Sequence, residues 1–193
     1  MTDTESSFEA AIKKEGLFKG IIWGVILLAL NIFTFYYITS ITKDPVMIFF
    51  GMGAFSFILP LAFSVVFTIQ MRQKMGGFWS FRQAVRGVFT MLIVGYIIMV
   101  IGRDGIFANF VEPDMVTKTE KAIHDSERLR YKQQGLSEDK AAAKIAENEK
   151  QFGPKGKATV FSIVESYIIT IILLFVLSLG FGLIFKRELI QPA

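Results

Sequence analysis

Apolar positions gather into four charge-free blocks, Gly20 to Ile41, Pro45 to Met71, Gly87 to Gly102 and Ser166 to Phe185. A helix that crosses a bilayer needs about 20 apolar residues, and each block is of that order. Polar positions take over only before the first block, in the short joints, and from Arg103 to Lys157. The pattern predicts an all-α integral membrane protein of four transmembrane helices, with a helical-hairpin insert between helices 3 and 4. Residues 1–19 form a cytoplasmic arm, 20–102 the first three helices, 103–157 the extracytoplasmic hairpin, 158–187 the fourth helix and 188–193 a cytoplasmic tail.

Local signals fill in this outline. Ser6 with Glu9 three positions on reads as a capping box, so a short helix starts near Ser7 and lies at the membrane surface, with Phe8, Ala11 and Ile12 on one side. Gly16, Gly20 and Gly24 recur every four residues on one helical face, a small-residue ladder that lets another helix approach closely, although glycine is common in membrane helices generally. Asn31 adds an amide able to hydrogen-bond across that face. Pro60 predicts a kink or tilt in the second helix, with Ser56 and Ser64 one turn away on either side.

Arg72 to Arg82 forms a basic interfacial loop with a Gly76-Gly77 break and an aromatic belt at Phe78, Trp79 and Phe81. In the insert, Pro113 opens a helix that Gly135 stops; Ser137 caps a second, with Glu138 and Asp139 in its first turn, ending at Gly153-Pro154. The hairpin's apolar residues are too sparse for a core of its own. It has to lean on something or stay mobile.

Composition agrees with the membrane class: 52% of the 193 residues are hydrophobic. The N-terminus has no cleavage signature, so the first helix is expected to be retained. The absence of cysteine rules out disulfides, thiolate nucleophiles and cysteine metal sites. The net charge of +4 matters less than where it lies. Lys13, Lys14 and Lys19, then Arg72, Lys74, Arg82 and Arg86, then Lys186 and Arg187 share one side, which the positive-inside rule makes cytoplasmic. The insert, with eleven Lys and Arg against ten Asp and Glu, is nearly neutral and crosses without penalty. Both termini are therefore expected inside.

Gly16, Gly20 and Gly24 entering the first helix, Gly76-Gly77 with Ser80-Phe81, Ala84 and Gly87 opening the third, Gly135 to Glu138 in the insert, and Ser178-Leu179 leading to Lys186 give nearly the whole chain a family look. The chain resembles a family of uncharacterised four-helix membrane proteins of Gram-negative bacteria, known as a domain of unknown function of the DUF4199 type. The resemblance implies a bacterial cytoplasmic (inner) membrane location. It supplies no activity and no catalytic residue.

Chemistry has few footholds. Glu165 sits a turn or two inside the fourth helix, where a carboxylate needs a partner, water or a proton; Arg103 at the end of the third helix is the candidate intramembrane partner. Arg82 and Arg86, one turn apart, are candidate headgroup contacts or simply snorkelling side chains. His124, the only histidine, lies among Glu120, Asp125 and Glu127 on a charged helix without metal-ligand spacing. Asp114 and Lys118 mark a solvated, salt-laced face and argue against nucleic acid as a partner. No nucleophile elbow or phosphate loop is present.

The expectation is a non-catalytic, cofactor-free protein that acts by packing on partners. Those partners are membrane lipid, other membrane proteins or a second copy, met through Gly16, Gly20, Gly24 and Asn31 and through the hairpin. The alternative is a small solute, ion or proton transporter using Glu165, Asn31 and the Pro60 kink.

Overall fold

Glu, Ala and Lys, all good helix formers, recur through the polar arm, and no proline interrupts it. In the computed structural model, which describes residues 3–152 and 160–187, arm and first block accordingly make one helix, α1 (Asp3–Tyr36). The expected separate surface helix is thus the first turns of α1, and its Ile12 is buried against Gly87. A π-helical segment, Tyr37–Ile41, prolongs α1.

Asp44 caps α2 (Pro45–Gly53), accepting from the amides of Val46 and Met47 at 2.9 and 3.0 Å, and Pro45 occupies a position that needs no donor. A second π segment, Ala54–Ile58, leads into α3 (Leu59–Lys74), so Pro45–Lys74 is one span. The disturbance expected at Pro60 takes this form: the widened turn directly before it makes room for a ring that would otherwise strike the preceding turn. Pro60's own carbonyl accepts from Ser64 Oγ at 2.8 Å and from Trp23 Nε1 at 3.3 Å.

Gly76 and Gly77, at φ of 88° and 84°, take the left-handed turn after α3 that other residues resist. Ser80 and Gln83 close a capping box on α4 (Phe81–Val100). A third π segment, Ile101–Val111, carries this helix beyond Gly102, where the insert was expected to begin. Arg103 and Asp104 therefore belong to the third span, Phe81–Val111. Then come α5 (Met115–Gln133), the turn at Gly135 (φ 78°), α6 (Glu138–Phe152) and α7 (Val160–Phe185). The stop at Gly153-Pro154 lies outside the described residues.

The protein is all-α, with four helices long and apolar enough to span a membrane. α4 is the central one, with α1 and α7 on it and α3 alongside α1. Gly16, Gly20 and Gly24 meet Gly87, Met91 and Gly95 in the same order, so α1 and α4 run parallel. Phe175 on Phe89 and Tyr167 on Tyr96 show that α7 runs antiparallel to α4. Trp23, Met71, Trp79, Val88, Met91 and Leu92 make the main core. Phe49, Phe50, Phe57, Ile172, Leu173 and Ile184 point outward, an apolar exterior suited to lipid rather than water.

Candidate functional site

The spans alternate in direction, so the bundle has a basic end, with both arm and α7 terminus, and a hairpin end. At the basic end helices touch closely. A Cβ on Gly20 would stand 2.8 Å from the Met91 carbonyl oxygen, and one on Gly24 2.9 Å from the Gly95 carbonyl oxygen. Trp23's ring fills the notch that Gly95 leaves, and farther along, where the π segment begins, Leu28 fills that of Gly102. Ion pairs tie the same end: Lys74 to the buried Glu15, and Arg86 to Glu9 at 2.5 Å, while Lys19 donates to Gln70 at 2.6 Å. Trp79, expected in an interfacial belt, is instead buried; its indole donates to the Phe185 carbonyl at 2.9 Å, and its backbone pairs with Arg187. Phe78 beside it remains exposed.

The hairpin end is built differently. All three π segments converge there around a cavity of about 230 Å³. Asn31, Thr34, Ser56, Arg103 and Thr119 give it polar walls, and Phe35, Phe107 and Met115 apolar ones. Asn31 donates to the Leu27 carbonyl at 3.0 Å, Thr34 to Leu30 at 2.7 Å and Thr119 to Met115 at 2.8 Å. The single hydroxyl donors of Thr34 and Thr119 are thus spent on their own helices, while Asn31 keeps a second amide proton and all three side-chain oxygens remain able to accept. Arg103 brings the cation, lying 3.6 Å from Asp104. One and two turns below Asn31, Leu27 and Trp23 begin the packed core.

A second cleft of about 320 Å³ shares the Phe35 wall and is charged, with Glu112, Lys118, Lys121 and Asp125 beside Tyr36 and Ser40. Here α5 is fastened to the bundle: Met115 packs with Phe35 and Phe107, Tyr36 donates to Glu112 at 3.4 Å, and Lys118 meets Glu112 at 2.5 Å. The hydrogen bond to Glu112 holds the Lys118 ammonium above its ordinary pKa. At the hairpin's far end, Tyr131, Leu136, Ala141 and Ile145 make a small core of their own.

The residues singled out by sequence reach different places. Gly16, Gly20 and Gly24 pack on α4, and Asn31 lines the cavity. Glu165 and Arg103 are not brought together: Glu165 is exposed and joins no ion pair among the described residues, and Arg103 lies by Asp104. Two positions on, Tyr167 faces α4, and residues i and i+2 point to nearly opposite sides of a helix. Arg82 is exposed, and His124 is half-buried on α5. Sequence reasoning missed buried Glu15, the Trp79 clasp and the answering glycines Gly87 and Gly95, whose spacing of two helical turns was visible.

A chain of four spanning helices, tightly packed at one end and holding a polar cavity under a helical cap at the other, belongs to the class of small multi-pass helical membrane proteins. Within that class the chain belongs to the family described as Protein of unknown function (DUF4199), whose model matches residues 19–187. The match takes in all four spans and the hairpin but not Glu9, Glu15 or Gly16. Neither the curated proteins nor the solved structures contain a match.

Proposed function

We propose that this is a non-catalytic interaction component of a bacterial cytoplasmic membrane, with both termini cytoplasmic and the hairpin outside, and that its contact with partner proteins runs through the hairpin. One observation carries the reading: α5 is fixed to the bundle at Met115, Glu112 and Lys118, while α6 packs on α5 and offers its other faces outward. The glycine ladder is withdrawn as a partner surface, because α4 already fills it. A rigid base with an exposed second helix suits presentation better than chemistry, and the cavity walls offer donors and acceptors but no nucleophile paired with a base.

The chain has no cysteine, so single-cysteine and photocrosslinker variants are clean. A crosslinker at exposed Lys144 in native membranes should capture a discrete partner band, and one at exposed Phe49 on α2 should capture mainly lipid. Capture of nothing at Lys144 or at Glu147 beside it would sink the proposal. Cysteines at Lys140 and Gln73 should label from opposite sides of intact cells; labelling from one side would overturn the topology.

Transport is the second reading, and the polar cavity favours it, since Asn31, Ser56 and Arg103 form a half-path ending on Leu27. Glu165, exposed on α7, is not on that path. A solute flux abolished by Asn31→Leu but indifferent to Glu165→Gln would support transport through the cavity.

A further inference from the structure

At the basic end, α4 and α7 leave an open groove of about 360 Å³ on the outside of the bundle. Beside it, the missing side chain of Gly182 lets α7 settle against Phe81 and Val85. The groove is ordered along its length. Arg82 and Arg86 stand at its head, on the first turns of α4, and Val85, Phe89 and Phe175 line it toward the membrane interior. Phe89 and Phe175 meet edge to face at 5.5 Å and form its floor.

The two guanidiniums are prepared differently. Arg86 is held in place by Glu9 at 2.5 Å, whereas Arg82 is exposed and in no ion pair among the described residues. With Glu9 counted, the head of the groove keeps a net positive charge. Lys186 and Arg187, both exposed, close α7 at the same end. Cations at the membrane surface above an aromatic channel match an anionic head joined to an acyl chain, in charge and in order.

We propose that this groove is a binding site for an anionic glycerophospholipid, whose phosphate is gripped by Arg82 with help from Arg86 and whose chain lies over Phe89 and Phe175. The headgroup is read by charge and the tail by shape. A free phosphate would use only the first of these, and a neutral lipid only the second.

The test uses the full-length protein in nanodiscs of equal phosphatidylglycerol and phosphatidylcholine, released for native mass spectrometry of the lipids that stay bound. Phosphatidylglycerol should be retained in preference. Arg82→Gln should cut that preference about fivefold, the scale of one basic residue at an anionic surface. Phe175→Ala, which leaves both cations, should also lower retention, and Lys140→Gln on the hairpin should change nothing. Circular dichroism confirms that each variant is folded. An unchanged preference in both groove variants would overturn the site. So would an equal loss in Lys140→Gln, which would mean bulk charge, or displacement of the lipid by inorganic phosphate alone, which would mean a phosphate site without a tail.

Discussion

The two ends of this bundle solve the same packing problem in opposite ways. At the basic end small residues bring backbones together, and what remains is filled by Trp23, Met91 and Leu92. At the hairpin end the helices widen into π geometry around the cavity, and Phe107 meets Phe35 and Tyr36 of α1 edge to face with ring centres 5.7 and 6.0 Å apart. In lipid the apolar effect does not drive helices together, so contact density decides which part is rigid. The basic end is the frame and the hairpin end the adjustable part. π segments inserted in α-helices commonly mark working sites, and here they enclose the cavity.

Substituting glycines at each end should break this comparison most sharply. Gly20→Leu drives a side chain into the Met91 carbonyl and Val94, neither of which can retreat without separating α1 from α4. A loss of about 3 kcal/mol or more is expected, at or beyond the upper range for overpacking, read as a fall in thermal midpoint in detergent. Gly105→Leu, in the π segment where an added Cβ meets nothing within 4 Å, should leave the midpoint nearly unchanged. Equal effects would show that the two ends are packed alike.

The difference also sets how much could be read in advance. Spans were legible because lipid demands long charge-free runs, and the hairpin because Gly135 and Ser137 carry local turn and cap signals. The π segments were not, since an extra residue in a turn reflects how helices fit together rather than what one helix prefers. That is also why the third helix was ended near Arg103 when it runs on to Val111. Ladder spacing showed that Gly16, Gly20 and Gly24 share a face, but a face does not name its neighbour: α4 was the answer, through Gly87 and Gly95. Nothing in the sequence around Glu15 signals its burial, and the continuity of α1 past Gly16 is what places it beside Lys74 of α3.

A middle-sized effect should appear in water access. With no native cysteine, Thr34→Cys in the cavity wall should react with a small charged thiol reagent, and Val88→Cys, fully buried at the other end, should not. Widening the cavity with Phe35→Ala should quicken the Thr34→Cys reaction and leave Val88→Cys inert. Reaction at both positions would mean a continuous wet path, and that outcome would turn the balance from presentation to transport.

The smallest effect concerns the clasp between hairpin and bundle. Lys118 is held above its ordinary value of 10.5 by its hydrogen bond to Glu112, so the folded state binds this proton more tightly than the unfolded one. The clasp's contribution is therefore complete below 10.5 and drains away as pH climbs through the raised folded value. From pH 7 to 9 the pair should be indifferent to pH. Spin labels at exposed Arg128 on α5 and Lys43 in the first joint should report one narrow distance across that range, broadening only under stronger alkali. Lys118→Met should broaden the distance at neutral pH and blunt its further alkaline response. Because the ammonium is exposed, raised salt should loosen the wild-type clasp slightly as well, whereas the Met115, Phe35 and Phe107 contact beneath it should not respond. If the wild type broadens already at pH 8, Glu112 and Lys118 are not what fastens the hairpin, and its rigidity rests on that apolar contact alone.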